Sequence, residues 1–221
     1  MLRIIILFSV LSVSILSFCQ GCGEEKPCDG ILEKGKRAPC EHSPILIDLD
    51  ADGFQFSGPR GAVYFDLYGS GIPLHLQWVI SNSDDAFLVN DLNGNGLVDD
   101  GAELFGNGTR LILEGELAPN GFVGLAQYDL SELGGNEDGF LSSLDLIWSD
   151  LLIWLDNDAN GVSTPDEITT LDNYDITQLG IIPRESNNRD EYGNRLRFWS
   201  YASREFLEAL DTVDVFFREV P

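Results

Sequence analysis

Asp156-Asn157-Asp158-Ala159-Asn160-Gly161-Val162-Ser163-Thr164-Pro165-Asp166-Glu167 sets oxygen-bearing residues at alternate positions, with a glycine at the sixth. Calcium is a hard ion that takes about six to eight oxygens. A tight loop supplies them from side chains at positions 1, 3 and 5, a carbonyl at 7, a side chain or water at 9 and a carboxylate at 12. Asp156, Asp158, Asn160, Val162, Thr164 and Glu167 fall on those positions, and Gly161 sits where the loop needs a positive φ. Thr164-Pro165-Asp166-Glu167 is also a good helix start in its own right, with an N-cap threonine, proline at N1 and a capping-box glutamate. That explains the end of the stretch but not the three ligands and the glycine before it. Upstream, Leu146, Ile147, Leu151, Ile153 and Trp154 form broad apolar faces, which predicts a helix ending at Leu155, and residues 166–171 read as the exit helix.

Working outward, Asp91-Leu92-Asn93-Gly94-Asn95-Gly96-Leu97-Val98-Asp99 repeats the rule, with oxygens from Asp91, Asn93, Asn95, Leu97 and Asp99. Its acidic closer, Glu103, arrives one residue late, so this loop is expected to close differently from a standard EF-hand. Asp48-Leu49-Asp50-Ala51-Asp52-Gly53 has three carboxylates and the glycine, but Pro59 stands at position 12, so it needs ligands from elsewhere in the fold or from water. Two weaker echoes are Asp66-Leu67-Tyr68-Gly69-Ser70-Gly71 and the stretch from Asn136 to Asp145, where Gly134 replaces the first aspartate. The plainer reading of all four is a Gly/Asn/Asp-rich turn between strands.

The charge agrees with cation binding. The formal net charge is −24, and in residues 61–183 a single basic residue, Arg110, faces 21 acidic ones. Such a segment repels itself without cations. Nucleic-acid binding is excluded as an expectation, because phosphate contacts need clustered Lys and Arg. An acidic solubility coat would scatter its charges, whereas many of these sit beside glycine and asparagine in loops.

Residues 1–21 read as a signal peptide. Arg3 is a positive leader, residues 4–18 are an apolar run too short for a spanning helix, and no second apolar stretch follows. Gly21 before Cys22 suits a lipoprotein cleavage box, although Cys19 is atypical at its third-preceding position; cleavage before Cys19 has the usual leucine but a bulky Phe18. If Cys22 is lipidated and Cys19 leaves with the signal, Cys28 and Cys40 remain as a pair able to close a disulfide in an oxidising compartment. Cys28, Cys40 and His42 lack the paired spacing of structural zinc sites. Residues 22–43 read as a polar tether that carries Lys26, Lys34, Lys36 and Arg37. The expectation is an exported protein, held at the cell envelope by a lipid on Cys22 or else secreted, that meets a membrane only through that anchor.

Residues 44–221 read as one α+β domain, stabilised by calcium at EF-hand-like loops between short strands and helices. Strands are expected at residues 45–49, 62–67, 76–80, 86–89, 195–201 and 213–217, and a short helix at 120–128 with Asn120 near its cap.

Several blocks occur together in one order: Pro44-Ile45-Leu46-Ile47-Asp48-Leu49-Asp50-Ala51-Asp52-Gly53, Tyr64-Phe65-Asp66, Trp78-Val79, the Asp91 loop, Asp100-Gly101-Ala102-Glu103-Leu104-Phe105-Gly106, Asn120-Gly121-Phe122, residues 153–161 and Leu179-Gly180-Ile181. Over residues 44–183 the chain resembles the calcium-dependent self-processing module of RTX-type secreted proteins. Its end, residues 195–217, looks like that of a group of exported bacterial proteins of unassigned role that bear EF-hands. The resemblance implies a domain that folds when calcium binds, with sites at Asp48, Asp91 and Asp156. It does not bring the module's chemistry. That module cuts an Asp-Pro bond at its leading edge, whereas Ser43 precedes Pro44 and no Asp-Pro pair exists in the chain. Other enzyme classes fare no better. His75 is the domain's one histidine, and no phosphate loop, nucleophile elbow or dinucleotide fingerprint is present. The reading is a structural or adhesive protein rather than an enzyme, with calcium-dependent self-processing as the alternative.

Overall fold

The computed structural model describes residues 31–32, 36–37, 43–205 and 209–221. The segment read as a signal peptide, residues 1–21, and Cys22, Cys28, Cys40 and His42 lie outside the described residues. The chain divides into two units, Met1–Cys40 and Glu41–Pro221. In the first, β1 (Ile31–Leu32) pairs antiparallel with β2 (Lys36–Arg37).

The second unit builds β3 (Ile45–Asp48), β4 (Val63–Phe65), β5 (Leu74–Leu76), β6 (Asp85–Asn90), helix α1 (Gly121–Ala126), β7 (Phe140–Ser142), β8 (Leu151–Trp154), β9 (Ile168–Thr170), β10 (Ile176–Gly180), β11 (Arg184–Arg189), β12 (Arg195–Arg204) and β13 (Leu210–Phe216). Nine of these strands form one antiparallel sheet in the order β7-β10-β12-β13-β3-β6-β8-β9, with β11 also pairing β12. The sheet curls into a half-barrel. Strands β4 and β5 make a separate hairpin. Among the described residues, no helix is long and apolar enough to cross a membrane.

The expected α+β class is therefore corrected to mostly β, with one short α-helix among the described residues, and the expected EF-hand architecture goes with it. The helix expected before the Asp156 loop is a 3-10 turn, Leu146–Asp150, followed by strand β8, and the expected exit helix is a 3-10 turn, Pro165–Glu167, followed by strand β9. The two flanks pair with each other, Leu152 with Thr170 and Trp154 with Ile168, so the loop tops a β-hairpin instead of joining helices. The misreading has a physical cause. A strand buried on both faces is a continuous apolar run, and periodicity alone does not separate it from a buried helix.

Both faces of the central strands are indeed buried. Ile45 and Ile47 of β3, Ala86 and Leu88 of β6, and Ile153 of β8 pack into one apolar cluster with Phe105, Phe122 and Leu125. Leu46, Phe87, Val89 and Trp154 pack on the other side against Phe65, Trp78, Val215 and Phe217. Asn120 caps α1, its Oδ1 accepting from Val123 N at 2.9 Å. Gly121 lets that helix lie on the sheet, since a Cβ there would come within 2.7 Å of Ile45 Cγ1 and of the Phe105 carbonyl. The strands expected at 45–49, 62–67, 86–89, 195–201 and 213–217 and the 120–128 helix are present with shifted ends, whereas the strand expected at 76–80 falls instead at Leu74–Leu76, leaving Trp78 outside it.

Candidate metal centres

Five Asp-rich loops share one backbone trace. Their fourth residues are Ala51, Gly69, Gly94, Glu137 and Ala159, and their sixth are Gly53, Gly71, Gly96, Gly139 and Gly161; all ten have positive φ. In each, a carboxylate receives the sixth residue's N–H. Gly53 donates to Asp48, Gly71 to Asp66, Gly96 to Asp91 and Gly161 to Asp156. In the fifth loop Gly139 donates to Asp129, which takes the place that Gly134 left without an acid.

The Asp156 loop is anchored from beneath. Asp156 is buried, and its Oδ2 accepts from Trp78 Nε1 at 2.7 Å and from Gly161 N at 2.8 Å. Burial holds its carboxyl above the ordinary range, partly offset by those donors. Glu167 closes the loop, accepting from Asn157 N at 3.1 Å and from Thr164 N and Oγ1 at 3.0 Å. Asn160 Nδ2 donates to Asp158 Oδ2, and Asn160 Oδ1 accepts from Val162 N at 2.6 Å. Carboxylate oxygens of Asp156, Asp158 and Glu167 lie within 4.8 Å of one another.

The Asp48 loop gains a fourth carboxylate from the turn before β6. Asp48, Asp50, Asp52 and Asp84 bring carboxylate oxygens within 4.8 Å of one another. Asp84 Oδ2 accepts from Asp50 N at 2.7 Å, which pins the two segments together. Sequence reading missed Asp84 and its neighbour Asp85. The signal was an acidic pair directly before the apolar run of β6, meaningful only once Asp48 and Asp85 are known to face each other across β3 and β6. Asp48 is raised by burial, and Asp50 by desolvation and then by Asp84. Asp85, wholly buried, is raised to about 7 by burial, although Gln55 N donates to its Oδ2. Asp48 Oδ1 and Asp85 Oδ1 are buried without any hydrogen-bond partner.

The Asp91 loop is differently filled. Its closer does come one residue late, on the 3-10 turn Gly101–Glu103, yet Glu103 accepts from Leu92 N at 3.1 Å and Asp99 N at 2.8 Å, the same second and ninth residues that Glu167 serves. Burial raises Glu103, and N–H donors led by Gly96 lower Asp91. Asn93 and Asn95 both turn their amides to Asp99 Oδ2 at 2.7 Å, and Leu97 N donates to Asn95. Among the described residues, Asp91, Asp99 and Glu103 do not form a three-carboxylate cluster like the other two.

All donors at these centres are oxygens, the described residues contain no cysteine, and the one described histidine, His75, stacks on Tyr64 at 4.6 Å. That donor set fits a hard cation such as calcium and not a thiolate- or imidazole-seeking metal.

Residues 45–218 match the SPM domain family. The chain is also similar to the iron-regulated protein FrpA of Neisseria meningitidis serogroup C, 36% identical over 157 residues. That match covers 70% of this chain and 13% of FrpA, so the chain spans a small part of that relative's length.

Proposed function

The chain belongs to the SPM-domain family, and on that premise we propose that it is an exported protein whose domain binds Ca²⁺ and is stabilised by it, with a structural or adhesive role rather than a catalytic one. The observation that carries this reading is the Asp48 centre. Four carboxylates converge there, and Asp48 Oδ1 is buried with no hydrogen-bond partner. A buried unpaired carboxylate oxygen is costly, and a divalent cation beside it removes the cost. Asp48, Asp50, Asp52 and Asp84 would hold one ion, and Asp156, Asp158, Asn160 and Glu167 another, with Asp91, Asp99 and Glu103 a further candidate. The bound cation supplies positive charge that offsets the repulsion among these acids. At 100-fold excess over Kd, each site adds about 2.7 kcal/mol to folding stability. The resemblance to RTX-type modules and the short apolar leader support export, with Cys22 the proposed lipid attachment.

The alternative, calcium-dependent self-processing, draws support from the same resemblance. Against it stands Ser43, whose hydroxyl cannot form the anhydride that an aspartate carboxylate makes with its own carbonyl.

Calorimetric titration of the full chain with Ca²⁺, run beside a gel, tests the proposal. Two or more equivalents bound by an intact chain, with Mg²⁺ much weaker, is the expected result. An absence of binding heat would remove the proposal, and calcium-dependent fragments would restore the alternative.

A further inference from the structure

We infer that the Asp91 and Asp156 loops bind cations cooperatively and that Ser163 is the positioning residue that couples them; this rests on the reading of both loops as Ca²⁺ sites. Val98 is the eighth residue of one loop and Ser163 the eighth of the other. Ser163 Oγ accepts from Val98 N at 2.7 Å and donates to the Val98 carbonyl at 3.1 Å. Both residues are buried, at 5% and 7% exposure, so water does not replace this bridge. One hydroxyl thus satisfies the donor and the acceptor of a buried peptide in another loop.

Its place in each loop makes the bridge a coupling element. On one side of Val98, Leu97 N donates to Asn95; on the other, Asp99 N donates to Glu103. Ser163 is flanked in the same way, by Val162 N on Asn160 and Thr164 N on Glu167. The eighth residue therefore sits between the fifth-position ligand and the closing carboxylate in both loops. Whatever holds those two ligands in place also holds Val98 or Ser163 where it meets the other. If one loop opens, the other loses its partner and leaves buried polar groups unmatched, which costs free energy. A cation that orders one loop pre-orders the other, and such linkage is reciprocal.

Tb³⁺ is the probe, because Trp78 touches Asp156 and sensitises emission from an ion in that loop. The full chain is compared with Glu103→Gln, which weakens the Asp91 loop, with Ser163→Ala, and with the double variant. Glu103→Gln is expected to raise the Tb³⁺ midpoint of the Asp156 loop about 10-fold when Ser163 is present and less than about 2-fold when it is alanine. Ser163→Thr, which keeps the hydroxyl, is expected to restore the 10-fold effect. Equal effects of Glu103→Gln in both backgrounds would overturn the coupling while leaving the sites standing. No sensitised emission from the unaltered chain would overturn the site reading itself. Should Ser163→Ala fail to fold, the unaltered chain decides. A Hill coefficient above 1 supports the coupling, and a value of 1 with both loops filled refutes it.

Discussion

Trp78 Nε1 donates a 2.7 Å hydrogen bond to Asp156 Oδ2, joining the first residue of the best-formed acidic loop to the aromatic core. Trp78 is fully buried and packs against Phe87, Phe217, Phe65 and Trp154, with ring centroids 4.7–6.0 Å away. The loop and the half-barrel therefore cannot be perturbed separately. Trp78→Phe removes a donor to a buried carboxylate and leaves space in the core. It is expected to cost about 3 kcal/mol in urea unfolding of the metal-free chain and to weaken cation binding at Asp156. Wild-type stability in this variant would separate loop from core.

The shared backbone trace makes glycine requirements position-specific. A Cβ at Gly161 would lie 2.9 Å from Val63 Cγ2 at a φ of +72°, whereas at Gly53 it would meet nothing within 4 Å. Gly53→Ala is expected to cost about 1 kcal/mol from the left-handed conformation alone, and Gly161→Ala at least twice that. Ala159 holds φ at 53° with a side chain present, so Ala159→Gly is expected to be neutral or to stabilise by up to about 1 kcal/mol. Thermal melts check the trace, with Gly161→Ala expected to melt lowest, Gly53→Ala next and Ala159→Gly at or above the unaltered chain.

Acid titration runs opposite to the usual acidic protein. Burial raises Asp214 from 3.8 to about 6 and Asp85 from 3.8 to about 7. Between these values the folded chain keeps protons that the unfolded chain has released, so stability without cations falls as pH rises from about 4 to 7. Asp214 Oδ2 accepts from Gly121 N at 2.8 Å; Ser43 sits close by, yet Ser43 Oγ and Asp214 Oδ1 both lack a partner by geometry. Asparagine keeps the Gly121 bond without the charge. Asp214→Asn is expected to add up to about 3 kcal/mol at pH 7.5, from the gap between 3.8 and about 6, and little at pH 4. Urea melts at the two pH values measure the difference.

Asp84 offers a site-selective test. Asp84→Asn removes one of the four converging charges at the Asp48 centre while its amide oxygen can still accept from Asp50 N. About 10-fold weaker Ca²⁺ binding at that centre is expected, since ligand charge tunes affinity, with Tb³⁺ emission from the Asp156 loop unchanged. Loss at both centres together would mean that Asp84 acts on the fold and not on one ion.

The loop geometry was readable in the sequence because its rule is local: spacing and glycine position marked the tight turns at Asp156–Glu167, Asp91–Glu103 and Asp48–Asp52 without knowledge of the fold. What was not local was lost. Asp84 joins Asp48 only through the pairing of β3 with β6, and Asp129 fills the gap at Gly134 from an earlier turn. The helices read around the Asp156 loop were misjudged because Leu151-Leu152-Ile153-Trp154 is apolar at every position, as a strand between two packed layers must be. Capping chemistry misled in the same way at Thr164-Pro165-Asp166-Glu167, which begins a 3-10 turn that the β-branched Ile168-Thr169-Thr170 turns into a strand.

The most direct measurement of the central claim is far-UV circular dichroism with a thermal melt of the full chain, first in chelator and then in millimolar Ca²⁺. A clear gain of β signal and a rise in Tm on adding calcium, reversed by chelator, is the predicted result. The same spectrum and the same Tm in both conditions would contradict it, and would leave the converging carboxylates as acidic turns with no cation to hold.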